Sequence, residues 1–470
     1  MAKEEAKLHI AMFPWLAFGH INPYFELAKL IAQKGHKISF ISTPRNIDRL
    51  PKLPQTLSPF INFVKLPLPP TENLPEDAEA TIDLPQEKVP LLKNAYDSLQ
   101  DSIANFLQSS NPDWVVFDFS AYWLPDIARN LGIPSVFFSI YLAACLDFVA
   151  PPSLTPDNRK KPKDYTVSPY WVPFPTKLAF RIFEILSIYD NVTEVDGAKS
   201  CFWSIVEVLR GCDVVAVRSC TEFELKWLQH LEKLHRKPVF PVGVLPPKLH
   251  NISNDDDDDE EWRPIKEWLD KQVNGSVIYV AFGTEAKLRQ DELTEMAYGL
   301  ELSGLPFFWV LRMDHDSANS EMIELPVGFE ERTKGRGIVC TTWAPQLNIL
   351  AHDSIGGFLT HSGWSSVVEA LQFGRPLILF TFSNDQGLNA RLLEEKMIGY
   401  SVPRDEHDGW FTRQSVAESL KLVAVKEEGK IYRDKAKEMK LVIGDMDIQD
   451  NYLNEFLGYL STYRRSNKAQ

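Results

Sequence analysis

The chemistry-bearing residues of this chain are concentrated between Trp343 and Gln386. In order they are Trp343-Ala344-Pro345-Gln346, His352, Gly356-Gly357-Phe358, His361-Ser362-Gly363-Trp364-Ser365-Ser366, Glu369, Gly374-Arg375-Pro376 and Asp385-Gln386. Trp343 offers an aromatic face on which a base can stack, a contact worth about 1–3 kcal/mol. Residues 361–366 combine glycine, hydroxyls and the start of a helix, where free N–H groups and the helix dipole attract phosphate. Glu369 lies one turn further on and can accept from vicinal ribose hydroxyls. Asp385 and Gln386 open another helix, where a carboxylate and an amide can take paired sugar hydroxyls. Any one of these residues alone is commonly structural. Together, and in this order, they supply a nucleotide-sugar site.

Moving such a sugar requires a base, because an attacking hydroxyl must lose its proton. His20 follows the first apolar run, and imidazole accepts a proton near neutrality. Asp118 ends the strand 114–118 on the same carboxyl edge, where a carboxylate can orient the imidazole and stabilise its cation. His9 and His36 read as structural. No histidine and carboxylate cluster has metal-ligand spacing, so the leaving-group charge falls to the helix N-terminus and side-chain donors. Direct in-line displacement would invert the anomeric centre.

The elements needed to place these residues alternate. An apolar run over 8–15 is followed by a turn at 18–20 and a helix over 23–33, with Leu27, Leu30 and Ile31 at helical spacing. Gly35 stops that helix, and 37–42 reads as the next strand. The pattern recurs as strand 114–118, helix 123–131 and strand 135–138. Residues 239–244 end this half, and the acidic run 254–261 reads as a solvated loop. The second half restarts with strand 277–282, turn Gly283-Thr284, helix 291–302 and strands 307–311, 356–360 and 377–382. This predicts an α/β protein of two Rossmann-like, doubly wound parallel-sheet domains facing a cleft, with ligands beyond the strand carboxyl ends. The expected boundaries are 1–245 for an acceptor-binding domain, 246–262 for the acidic linker and 263–450 for a nucleotide-sugar-binding domain. Residues 451–470 are expected to form a helix packing back on the first domain. No Gly-x-Gly-x-x-Gly follows a predicted strand, which counts against a nicotinamide oxidoreductase.

Composition narrows the classes further. A chain of 470 residues exceeds one ordinary core. Its net charge of −14 argues against nucleic acid as a partner. The five cysteines are scattered without Cys-x-x-Cys spacing, which fits a reducing, cytoplasmic setting. The apolar stretch 135–150 is too short and too often interrupted to span a membrane, and the N-terminus lacks the pattern of a signal peptide. A monomer is expected.

With these residues in view, the window 343–386 resembles the plant secondary-product signature of the UDP-dependent glycosyltransferases and has its full length. The resemblance extends over essentially the whole chain and implies a GT-B fold. By that match Trp343 and Ala344 contact uracil, and Gln346 belongs to the UDP-sugar set. Glu369 holds the ribose, while His361, Ser366 and Thr284 hold the diphosphate. Trp364, Asp385 and Gln386 hold the sugar, and His20 with Asp118 forms the catalytic pair. Ser362, Ser365 and Thr284 stand where Cys, Asn and Ser are usual in the family, so Ser365 is shorter than its usual counterpart. No cofactor is implied, since the UDP-sugar is a co-substrate. The segments 13–20, 42–46, 361–366 and 385–391 resemble a subgroup that extends sugars on flavonoid or terpenoid glycosides. Gln386 points to UDP-glucose, UDP-rhamnose is the alternative donor, and a silent nucleotide-sugar-binding protein is the alternative of another class. An aromatic stretch over 137–183 suits a flat or terpenoid aglycone. Phe13, Phe119, Tyr122, Phe138 and Tyr141 are the expected acceptor contacts.

Overall fold

In a parallel sheet covered on both faces each strand must be apolar along its whole length, and short runs such as Trp114–Phe117 and Val214–Val217 meet that demand. A computed structural model of the chain describes residues 7–152, 157–192, 199–249, 261–283, 286–311 and 324–468. Thr284 and the aspartate run of the acidic loop lie outside the described residues.

The first sheet is built from β1 (His9–Phe13), β2 (Lys37–Ser42), β3 (Ile61–Lys65), β4 (Trp114–Phe117), β5 (Ser135–Ser139), β6 (Val214–Val217) and β7 (Val239–Pro241). Its strand order is β3-β2-β1-β4-β5-β6-β7, and the pairings are parallel. The second sheet contains β8 (Val277–Ala281), β9 (Phe307–Val310), β10 (Gly337–Cys340), β11 (Ile355–Thr360), β12 (Leu377–Leu379) and β13 (Gly399–Ser401). Its order is β10-β9-β8-β11-β12-β13, again parallel. In each sheet the strand order reverses once, between β1 and β4 and between β8 and β11. Ligands of open α/β sheets bind beyond the strand carboxyl ends at such switch points.

The chain divides into two compact units. The first holds the chain up to Asn158, Asp190–Leu245 and the residues from Asp447 onward; the second holds Arg159–Tyr189 and Pro246–Met446. The segment Arg159–Tyr189 therefore groups with the second unit, although its sequence position lies within the stretch expected to form the first domain. The last helix, Met446–Lys468, enters the first core with Leu453, Phe456, Leu457 and Leu460. Burying each of these side chains is worth about 1.5–3 kcal/mol. Trp114 Nε1 also donates to the Leu460 carbonyl at 3.2 Å.

Two element boundaries differ from expectation where they touch the site. The first helix runs Phe18–Gln33, so His20 sits in its first turn and Pro23 lies inside it. Proline is normal at a helix start, which is why the sequence pattern pointed to residue 23. Here the helix begins earlier and forgoes the bond that Pro23 cannot donate. The strand expected over 377–382 ends at Leu379, because the chain beyond turns toward the helix Gln386–Glu395. Among the described residues no helix is long and apolar enough to cross a membrane.

Candidate active site

His20 and Asp118 are 98 positions apart, and the pairing of β1 with β4 brings them together. Phe13 and Phe117 are register partners at the ends of these adjacent strands. Each strand therefore hands its following residues to the same edge at the switch point. His20 Nδ1 lies 2.8 Å from Asp118 Oδ2. The same oxygen accepts the Trp15 N–H at 3.1 Å, and Oδ1 accepts the Phe119 N–H at 2.8 Å. Asp118 is buried, at 1% exposure. A carboxylate can only accept, so the bonded Nδ1 carries the hydrogen and the Nε2 lone pair is left to accept a proton. Nε2 lies 3.4 Å from the Tyr141 hydroxyl, and the Phe119 ring centroid is 5.4 Å from the imidazole.

The aromatic residues assigned to the acceptor separate into two groups. Phe119 and Tyr141 flank His20. Tyr122 is half-buried, with Lys199 Nζ 4.1 Å from its ring centroid and donating to its hydroxyl at 2.9 Å. Phe13 and Phe138, by contrast, are interior. Phe13 stacks on Tyr96 at 4.8 Å, and Phe138 belongs to the first core against Tyr24. Strand residues whose sheet is covered on both faces have no free side, so neither forms a pocket wall. The stretch 137–183 is not one aromatic wall either. Phe137 and Phe148 are fully buried in the first unit, whereas Tyr165 and Trp171 lie in the second beneath the Arg159 guanidinium.

At the other switch point, Ala281 and Thr360 are register partners at the ends of β8 and β11. Gly283 and His361 follow them. Gly283 has φ +80, and a Cβ there would lie 3.1 Å from the His361 ring. At Gly363 a Cβ would meet His361 Nε2 at 2.4 Å, so both glycines make room for the imidazole. Burial pushes His361 down to about 4, which keeps the ring neutral at physiological pH with one N–H to donate. Its buried Nδ1 has no hydrogen-bond partner among the described residues. Ser362 takes a left-handed φ of +70 to turn the chain, and its carbonyl accepts from Asn389 Nδ2 at 3.1 Å. The helix Trp364–Leu371 then opens at Gly363, which supplies no side-chain cap, so the positive end of the helix dipole lies beside His361 at the end of β11. Trp364 itself is buried, so its indole packs inward.

Gln346, Ser366 and Glu369 form one network. The Gln346 amide donates to Glu369 Oε2 at 2.7 Å and to Ser366 Oγ at 3.2 Å, while its oxygen accepts the Tyr279 hydroxyl at 3.2 Å. Tyr279 escaped the sequence reading because it sits in the apolar run of β8 and looks like core. Trp343, beyond β10 and next to Ala344, is 56% exposed. So large an exposed aromatic surface fits a platform for a ring ligand. Asp385 is the N-cap residue of the helix Gln386–Glu395 and accepts from Asn389 Nδ2 at 2.8 Å. Gln386 Oε1 accepts the N–H groups of Phe382 and Ser383 at 2.8 and 3.1 Å. Its oxygen is thus committed to the turn, and only its NH2 group can serve a ligand.

Residues 239–443 match the family described as UDP-glucoronosyl and UDP-glucosyl transferase. The chain is similar to UDP-glycosyltransferase 91A1 of Arabidopsis thaliana, with 55% identity over 97% of each chain. It is also 45% identical to the soyasaponin III rhamnosyltransferase of Glycine max, over 97% of this chain and 96% of that one. Among solved structures, Glycyrrhiza uralensis UGT73P12 superposes with a TM-score of 0.79 at 22% identity, covering 99% of this chain and 98% of that one. With two parallel sheets of the GT-B type, a relative of this identity and coverage, and the matched profile, the chain belongs to the plant UDP-glycosyltransferases and is an enzyme of that family.

Proposed function

We propose that the enzyme is an inverting glucosyltransferase that moves glucose from UDP-glucose onto a hydroxyl of a flavonoid or terpenoid glycoside, often on a sugar already present. The observation that carries this reading is the 2.8 Å bond from His20 to buried Asp118, which leaves Nε2 as the proton acceptor. His20 takes the proton of the acceptor hydroxyl as it attacks the anomeric carbon, and Asp118 stabilises the imidazolium that results. One displacement inverts the centre, giving a β-glucoside from α-linked UDP-glucose. Trp343 and Ala344 hold the uracil, and Gln346 and Glu369 the ribose. The N–H groups opening the helix Trp364–Leu371, the neutral His361 and Ser366 receive the diphosphate charge as it leaves. Asp385 and the Gln386 NH2 group hold the sugar hydroxyls. No cofactor takes part in this scheme.

A second reading, UDP-rhamnose as donor, is favoured by the 45% identity to a relative named as a rhamnosyltransferase. A donor panel offered with flavonoid and terpenoid glycosides, with products identified by mass, separates the two. Gln386→Ala should lower glucosyl transfer by about three- to tenfold while UDP affinity stays within about twofold, one hydrogen bond to an uncharged group being worth about 0.5–1.5 kcal/mol. Equal losses in UDP affinity and transfer would assign Gln386 to the nucleotide or the fold. Turnover of UDP-rhamnose without UDP-glucose would replace the donor and leave the His20–Asp118 mechanism standing.

Among the described residues no group of three His, Cys, Asp or Glu side chains is placed to hold a metal ion. Treatment with EDTA is therefore expected to leave the transfer rate unchanged. A large loss restored by Mg²⁺ or Mn²⁺ would overturn a scheme in which helix N–H groups and His361 meet the leaving-group charge.

A further inference from the structure

The segment Arg159–Tyr189 packs within the second unit and holds the helix Gln386–Glu395 at both ends. At the C-terminal end, Thr176 Oγ1 and the Lys177 N–H donate to Glu395 Oε2 at 2.7 and 3.1 Å. At the other end stands Glu184, on the helix Ile182–Val192 and only 4% exposed. Its Oε1 accepts from Thr381 Oγ1 at 2.6 Å, and its Oε2 accepts the Arg181 N–H at 2.8 Å. A Cβ on Gly387 would lie 2.5 Å from Glu184 Oε2, so the carboxylate reaches the start of this helix only because residue 387 has no side chain.

Thr381 is held from two sides. Glu184 takes its hydroxyl, and the Arg404 guanidinium donates to its carbonyl at 2.6 Å. That guanidinium lies over the rings of Phe183 and Phe380, at 4.6 and 4.5 Å from their centroids. The next residues, Phe382 and Ser383, give their N–H groups to Gln386 Oε1. A continuous set of bonds thus runs from Glu184 through Thr381 and the turn to the amide whose NH2 group is left for the sugar. Trp343, Glu369 and His361 stand on other elements, and no described hydrogen bond links Glu184 to them.

We propose that Glu184 is a positioning residue for the donor sugar: through Thr381 it fixes the turn that aims the Gln386 amide, and so governs how the sugar, not the uridine diphosphate, is held. The inference rests on the reading that Asp385 and Gln386 bind the sugar. It makes a buried carboxylate, carried by a segment packed against the donor helix, a determinant of donor choice.

The test compares Glu184→Ala, Glu184→Gln, Thr381→Val and Gln386→Ala in the full-length enzyme. UDP affinity is measured by calorimetry, kcat and KM with UDP-glucose and UDP-rhamnose on one acceptor, and melting temperature alongside. Glu184→Ala and Thr381→Val should each lower kcat/KM for the preferred UDP-sugar by about tenfold or more and alter the ratio between donors, since small misplacements of a positioning group are costly. UDP affinity should stay within about twofold, as expected for groups that do not touch the nucleotide. Glu184→Gln should recover only part of the loss, because its amide oxygen can still accept from Thr381 while its NH2 group then faces the Arg181 N–H. Thr381→Val carries the test if Glu184→Ala does not fold. Unchanged kcat/KM and donor ratio in Glu184→Ala and Thr381→Val, or UDP affinity falling in step with transfer, would overturn the inference. If Gln386→Ala loses transfer while those two do not, only the inference fails. Full transfer in Gln386→Ala overturns the sugar-site reading and the inference together.

Discussion

The His20→Ala enzyme is expected to lose about 10²–10⁴-fold in kcat, the contribution of a well-placed general base. UDP affinity should stay within about twofold, because the imidazole acts on the acceptor hydroxyl and not on the nucleotide. Among the described residues, the Phe119 ring and the Tyr141 hydroxyl, 3.4 Å from Nε2, lie beside the imidazole, and neither accepts a proton near neutrality. Asp118 is committed to the Trp15 and Phe119 N–H groups and remains buried behind the vacated position. Rapid-quench turnover beside calorimetric UDP binding reads both quantities. A variant keeping more than about a tenth of wild-type turnover would show that His20 is not the base.

Asp118→Asn is the second large effect, and its cause is the hydrogen bond's direction. Asp118 accepts three bonds, from His20 Nδ1 and the Trp15 N–H on one oxygen and from the Phe119 N–H on the other. Asparagine has one accepting oxygen. If its NH2 group faces the imidazole, Nδ1 must become the acceptor and Nε2 carries the hydrogen, so it cannot take the acceptor's proton. If instead the oxygen faces the imidazole, the NH2 group opposes the Phe119 N–H in a buried site, a mismatch worth about 1–3 kcal/mol. The cation formed in the reaction also loses its counter-charge. We expect kcat to fall by about 10³–10⁴-fold, as for carboxylates that orient a catalytic histidine. The melting temperature should fall by a few degrees, and UDP affinity should hold. A loss of less than about tenfold would mean that Asp118 serves the fold and not the imidazole.

What the amino-acid sequence determined by itself is what is local. The window Trp343–Gln386 is one contiguous stretch, so its aromatic face, strand-to-helix turn and acidic positions could be read in order without knowing the fold. Alternation of apolar runs with helical spacing gave two parallel-sheet halves, because a strand buried on both faces must be apolar throughout. Short strands such as Ile61–Lys65 and Gly399–Ser401 escaped this reading, since so few residues carry little periodicity of their own. His20 and Asp118 could each be placed at a strand's end, but their 2.8 Å contact exists only because β1 and β4 are neighbours across the switch point. Which aromatics are core was likewise a tertiary matter. Phe119 and Tyr141 stand beside His20, while Phe13 and Phe138 lie within a covered sheet. The structure also decided that the Gln386 oxygen is spent on its own turn, and that Arg159–Tyr189 packs with the second unit. Spacing along the chain encodes helices, strands and turns. It does not encode which distant hydrogen-bond donor a buried carboxylate meets, because that partner is chosen by strand order and packing, as Glu184 and Thr381 demonstrate.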